Sequence, residues 1–216
     1  MITTIVFDLD GTLADSSDCI VEAAHLVAQE FNRPTAEDEL IRSQIGKPLD
    51  EMLSSLFGLK HSDISRACEL YSAEYIRLAP FKERLFDNAL ELVQELHQAG
   101  FKLAIATGKS QNGANNASAR LGLTPWFDSI HGILPGTPGK PDPAVLIRAM
   151  NTLQVSSKEC VMVGDTVFDI ALAQKVGVKT AAVNWGVHSI DKLNMLNPDF
   201  LATSFSSLKQ WLMAQR

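Results

Sequence analysis

The apolar run Ile5-Val6-Phe7 ends at two aspartates one residue apart, Asp8 and Asp10, followed by Gly11-Thr12. Residues two apart on an extended chain face the same side, so these carboxylates lie near each other. Other apolar runs also end in polar residues. Leu103-Ala104-Ile105-Ala106 leads into Thr107-Gly108-Lys109, and Cys160-Val161-Met162-Val163 leads into Gly164-Asp165-Thr166, with Asp169 one helical turn further on. Lys140 sits between Gly139 and Pro141, so its backbone is stiff and its ammonium can be aimed. In an open parallel sheet, ligands bind at the carboxyl ends of strands, which gathers these residues on one rim. Two unit charges about 4 Å apart repel by about 4 kcal/mol at an effective dielectric of about 20. Asp8, Asp10 and Asp165 therefore call for a cation. A hard divalent ion with oxygen donors, Mg²⁺ above all, meets that need. No His or Cys belongs to the cluster, which counts against zinc. The Thr107 hydroxyl, the N–H of Gly108 at the expected start of a helix, and Lys140 form an anion seat suited to phosphate. Asp15 and Asp142 read as turn formers and helix caps.

The elements that must position these residues follow from periodicity. Ile2–Phe7, Leu103–Ala106, Ser129–Leu134, Cys160–Gly164 and Lys179–Asn184 read as buried strands. Asn88–Ala99, Pro141–Leu153, Ile170–Val176 and Ser206–Met213 carry helical spacing. Alternating strands and helices predict an α/β fold: a Rossmann-like parallel sheet flanked by helices. Residues 16–80 break the rhythm. Ile20–Phe31, Leu49–Phe57 and Ile64–Leu78 read as amphipathic helices, with breaks at Asn32-Arg33-Pro34, Gly46-Lys47-Pro48 and Gly58. A small all-α cap domain of residues 16–80 is thus expected after the first strand, inside a core made of residues 1–15 and 81–216. The chain would open and close around Asp15–Ser16 and the segment near Pro80.

At 216 residues the chain can bury a substantial core. A net charge of −6 argues against a nucleic-acid surface, which wants a basic stripe. No apolar run nears the roughly 20 residues of a membrane helix, and the N-terminus lacks a secretory pattern. Cys19, Cys68 and Cys160 match no metal or redox spacing and read as small core residues of a reducing compartment. Cytoplasm is the default location. The oligomeric state is not legible.

Taken together, the motifs resemble those of the haloacid dehalogenase-like hydrolases, in the branch that includes phosphoglycolate phosphatase. They are Asp8-Leu9-Asp10-Gly11-Thr12-Leu13 running on to Asp15-Ser16, Thr107-Gly108, Lys140 in a Lys-Pro-x-Pro setting, and Gly164-Asp165-Thr166 with Asp169. The helical insert falls where that branch places its mobile cap. The resemblance implies that Asp8 is a nucleophile forming an aspartyl-phosphate and that Asp10 is the general acid and then the base. It implies Mg²⁺ held by Asp8, Asp165 and the backbone carbonyl of Asp10, with Asp169 supporting the metal or Lys140. Thr107, Gly108 and Lys140 would hold the phosphoryl oxygens. Aspartate at position 10 favours a phosphate ester over a carbon–halogen bond, since an alkoxide leaves with a proton and a halide does not.

The expected activity is a Mg²⁺-dependent phosphatase acting on a small phosphorylated metabolite, with neither nucleic acid nor membrane as a partner. A phosphomutase of the β-phosphoglucomutase type shares the chemistry, and release of inorganic phosphate separates the two. A phospho-accepting signalling module of receiver type is about half this length and has no cap. Phosphoglycolate, sugar phosphates such as N-acetylmuramic acid 6-phosphate, nucleoside monophosphates and pyrophosphate all stay open as substrates. Lys47, between Gly46 and Pro48, is a candidate substrate contact from the cap. Trp185, Leu85-Phe86 and Trp126-Phe127 read as packing, His188 as a solvated loop residue, and Ser110 and Asn112 as the first turn of a helix.

Overall fold

The structure is a computed structural model that describes all residues, Met1–Arg216. Six parallel strands form one sheet: β1 (Thr4–Phe7), β4 (Lys102–Ser110), β5 (Ser129–Ile133), β6 (Cys160–Gly164), β7 (Lys179–Val183) and β8 (Phe200–Ala202). Their order is β5-β4-β1-β6-β7-β8, so β1 lies between β4 and β6 and its end is central to the rim. Phe7 pairs with Ile105 on one side and with Val163 on the other, which brings the residues after all three strands level.

Alternation along these strands feeds two cores. Ile5, Phe7, Leu103, Ile105, Val161 and Val163 face one apolar layer, and Val6, Ala104, Ala106 and Met162 face another. Helices α5 (Ala89–Gln98) and α10 (Phe205–Met213) close the first layer with Leu92, Leu96, Leu208 and Leu212. Helices α7 (Ala144–Leu153) and α8 (Val167–Lys175) close the second with Leu146, Ala149, Leu172 and Ala173. Strands buried on both faces read as continuous apolar runs, which is why they were legible. Strand β8 was not expected, because Phe200-Leu201-Ala202 is a short edge strand after a polar segment. Neither were the one-turn helices α2 (Asp38–Arg42) and α9 (Ile190–Asn194), too short for periodicity.

Helices α1 (Ser17–Glu30), α2, α3 (Leu49–Phe57) and α4 (His61–Lys82) enclose a separate apolar cluster that includes Val27, Ile41, Leu53, Ala67 and Tyr71. Helix α4 runs through Pro80 to Lys82, beyond the break expected there. Pro80 falls in its last turn, and Glu83 N–H still bonds Ala79 O at 3.0 Å. The chain accordingly leaves the helical unit at Glu83-Arg84. There a two-residue strand, β3 (Arg84–Leu85), pairs antiparallel with β2 (Ala14–Asp15) at the other crossing. Asp15 is a ribbon residue that pairs with Arg84 at 3.1 Å, not a cap. Asp142 does cap locally, accepting from Ala144 N–H at 2.9 Å. No helix is long and apolar enough to cross a membrane.

Candidate active site

Asp8 follows β1 directly and is tied to the neighbouring strand by its own N–H, which donates to Val163 O at 2.9 Å. The chain then turns tightly, with Leu9 O accepting from Leu13 N–H at 3.0 Å and from Ala14 N–H at 2.8 Å. Gly11 makes this possible. Its φ of 79° is left-handed, and a Cβ there would stand 2.2 Å from an Asp165 carboxylate oxygen. Gly186 presses on the same aspartate from the other side, where a Cβ would also fall at 2.2 Å. Asp165 is thus clamped by backbone. Its Oδ1 accepts from the Thr12 hydroxyl at 2.9 Å and its Oδ2 from Val187 N–H at 2.8 Å.

Asp8, Asp165 and Asp169 each bring a carboxylate oxygen within 4.8 Å of the others, and all three are buried. Lys140, wholly buried, bridges two of them: its Nζ donates to Asp8 Oδ1 at 2.8 Å and to Asp169 Oδ1 at 2.6 Å. The other Asp169 oxygen serves the start of α8, accepting from the Thr166 hydroxyl at 2.6 Å and Thr166 N–H at 3.1 Å. Asp169 is therefore fully engaged by protein, whereas only one Asp8 oxygen is. Burial, opposed by Lys140 and reinforced by Asp169, pushes the Asp8 carboxyl up to about 7. Burial, then the charges of Asp8 and Asp169, push Asp165 well above the usual carboxylate range. For Lys140 burial works against the charge, but Asp169 and Asp8 outweigh it and hold the ammonium protonated. An all-oxygen donor set with more negative charge than one lysine neutralises fits a hard divalent cation.

The carboxylate of Asp10 lies outside that trio. Its Oδ1 accepts from the Ser16 hydroxyl at 2.5 Å and pairs with Lys109 Nζ at 3.0 Å. Lys109 also donates to the Tyr75 hydroxyl at 2.9 Å. That hydroxyl donates to Glu83, which is paired in turn with Arg120. A polar chain thus runs from Asp10 to the end of α4 at the second crossing. The sequence presents Lys109 beside Thr107 but offers no sign of this role, because Tyr75, Glu83 and Arg120 are distant in sequence.

Thr107 and Gly108 line the same cavity as Asp8 and Asp10. They do not begin a helix. Strand β4 runs on to Ser110, and its ladder with β5 is interrupted between Ala106 and Ser110. Such an irregularity re-aims side chains, here at the carboxyl end of an interior strand. The helix starts at α6 (Gln111–Arg120), where the Ser110 hydroxyl accepts from Gly113 N–H at 3.2 Å. Asn112 lies in that first turn. Lys47 lines the cavity from the helical unit and donates to Gln44 Oε1 at 2.6 Å. His188, expected in solvent, is buried. Its Nδ1 accepts from Val167 N–H at 3.0 Å, and its Nε2 faces Ser43 O at 3.3 Å. It bridges the helical unit to the start of α8, and burial pushes its pKa down. Trp185 packs on Phe205, with ring centroids 4.4 Å apart, and donates to Thr12 O at 3.0 Å.

A family model described as haloacid dehalogenase-like hydrolase matches residues 5–183. The chain is 30% identical to a phosphoglycolate phosphatase of Vibrio parahaemolyticus over 215 residues, covering 96% of this chain and 94% of that one. It is 31% identical to the pyrophosphatase PpaX of Halalkalibacterium halodurans over 211 residues, covering 96% and 95%. A haloacid dehalogenase-like family hydrolase from Streptococcus pneumoniae superposes with a TM-score of 0.88 at 30% identity, covering 98% of each chain. The chain is an enzyme and belongs to the haloacid dehalogenase-like hydrolase family.

Proposed function

We propose that this hydrolase is a magnesium-dependent phosphatase that cleaves a small phosphate monoester through an aspartyl-phosphate on Asp8. The observation that carries the reading is Lys140 holding Asp8 by one oxygen in a buried carboxylate cluster at the strand ends, while the second Asp8 oxygen has no protein donor. That oxygen is available to attack phosphorus. A fixed ammonium beside it opposes the effect of burial and favours the charged carboxylate, and it offers its remaining N–H to a phosphoryl oxygen.

In the first displacement the Asp8 oxygen bonds to phosphorus as the bond to the ester oxygen breaks. Asp10, entering this step as the carboxylic acid, gives its proton to the departing alkoxide and regains one in the next step. In the second, Asp10 takes a proton from water, the water oxygen attacks phosphorus, and the Asp8 carboxylate is released with inorganic phosphate. General acid–base help of this kind is worth typically 10²–10⁴-fold. Thr107, Gly108 and Lys140 orient the phosphoryl oxygens, and position plus fixed positive charge carry most of the catalysis. Asp8, Asp165 and the backbone carbonyl of Asp10 would hold magnesium, and Asp169 keeps Lys140 in place. The ion, when bound, supplies positive charge to the transferring group and offsets the repulsion between the carboxylates. The helical unit, from the start of α1 at Ser17 to the end of α4 at Lys82, acts as a cap that excludes water, and Lys47 reaches the substrate from it.

The relatives' names, phosphoglycolate phosphatase and pyrophosphatase, support the reaction class. The test is phosphate release from p-nitrophenyl phosphate with Mg²⁺ and with EDTA. Asp8→Asn should lower turnover by about 10³-fold or more, and EDTA should abolish it until Mg²⁺ is restored. Full activity in Asp8→Asn would sink the reading.

A further inference from the structure

The cavity over Asp8 and Asp10 has a volume of about 580 Å³ and is lined from both the helical unit and the sheet. Away from the carboxylates its wall is mostly carbon: Ile45, Leu49, Met52 and Tyr71 on one side, Ile133 and Leu134 on the other. Two large apolar side chains that the fold leaves in water stand on this cavity, Ile76 at 61% exposure and Leu134 at 37%. Neither belongs to the apolar clusters that hold the fold together. They are two of the nine large apolar side chains left exposed, and at the wall of a pocket they offer a surface to the apolar body of a ligand.

The charges point the same way. Three cations line the cavity: Lys47, Lys109 and Arg120. Lys109 is paired with Asp10, and Arg120 with the buried Glu83. Only Lys47 has no acidic partner, its ammonium resting on the neutral Gln44 side chain. Asp50 and Glu51 line the same cavity and oppose any second anion. A carboxylate or second phosphate on the leaving group would thus meet two like charges, the apolar part of the wall, neutral groups such as Asn112 and Asn116, and one lysine already donating to Gln44. Leaving a charge poorly paired on such a wall is costly.

We infer that the substrate of this site carries its only anionic group at the phosphate, esterified to an alcohol with an apolar or aromatic body. This rests on the phosphatase reading and narrows it, setting the chain apart from the activities that name the two relatives described above.

The test compares four substrates with Mg²⁺ present: 2-phenylethyl phosphate, ethyl phosphate, 2-phosphoglycolate and pyrophosphate. The first three lose a primary alkoxide, so the attached body and the second charge, not the chemistry of the broken bond, set them apart. The expected kcat/KM for 2-phenylethyl phosphate exceeds that for ethyl phosphate and for phosphoglycolate by about tenfold or more. Leu134→Lys, a change at an exposed position, should shift the phenylethyl-to-phosphoglycolate ratio at least about threefold toward phosphoglycolate. Equal rates across the panel, preference for phosphoglycolate or pyrophosphate, or an unmoved ratio in Leu134→Lys would each overturn the inference while leaving the phosphatase reading intact. Loss of both is recognised separately, by absence of p-nitrophenyl phosphate turnover.

Discussion

Lys140 is the residue on which the site's electrostatics turn. Its side chain is fully buried between two carboxylates, and neither would tolerate that depth without it. Removing one partner of a buried ion pair typically costs about 3–5 kcal/mol, because the remaining charges lose their compensation. Lys140→Met should therefore lower unfolding free energy by about that amount at pH 8. At pH 5 the loss should be smaller, since Asp8, already pushed up to about 7, takes up a proton and ceases to be a buried charge. Urea unfolding at the two pH values measures both. Equal losses would contradict the assignment of Lys140 as the counter-charge of Asp8.

At the scale of elements, the loop Gly46-Lys47-Pro48 of the helical unit seats on two glycines of the sheet domain. A Cβ at Gly108 would lie 2.8 Å from Gly46 O, and one at Gly139 would lie 2.1 Å from Pro48 Cγ. Neither glycine has a left-handed φ, so alanine is allowed by the backbone and excluded only by the opposing loop. A proline ring cannot swing aside as a long side chain can. Gly139→Ala should therefore fold normally, with a melting temperature within a few degrees of wild type, yet hold this loop off the strand ends. An approximate tenfold or larger fall in kcat/KM is expected, since a misplacement of about 1 Å can cost 10²-fold. Steady-state kinetics beside a thermal melt separates the two effects. Unchanged kcat/KM would show that the seating of this loop does not matter to turnover.

For the whole molecule, the acidic cluster couples stability to pH and to metal. With metal chelated, Asp8 and Asp165 bind protons in the folded state at pH values where the unfolded chain, with carboxyls near 3.8, has released them. Stability rises with pH only where the unfolded state binds more protons, and here the folded state does. Between about pH 4 and 7 this cluster thus lowers stability as pH rises. A divalent cation binds the ionised carboxylates, so it offsets the loss where they are ionised. Differential scanning fluorimetry with EDTA and with Mg²⁺ should show a larger rise in Tm at pH 8 than at pH 5. A larger rise at pH 5 would refute a cation site made of these carboxylates.

The sequence by itself determined the parallel α/β fold and the candidate residues at the strand ends. Both rest on local signals: apolar runs buried on two faces, and polar residues where those runs stop. Asp8, Asp165 and Lys140 were legible because each directly follows a strand or is fixed between a glycine and a proline. Tertiary structure alone decided the rest. It extended β4 past Thr107 as a bulge, because pairing with β5 competes with helix initiation and wins. It buried His188 between the helical unit and α8, where two backbone groups satisfy its ring. It linked Asp10 through Lys109 and Tyr75 to Glu83, joining residues from both sides of the two-strand crossing. Periodicity reports which face of an element is buried, but not which partner lies there. That partner is set by how the helical unit docks on the sheet, and so was the apolar wall of the cavity.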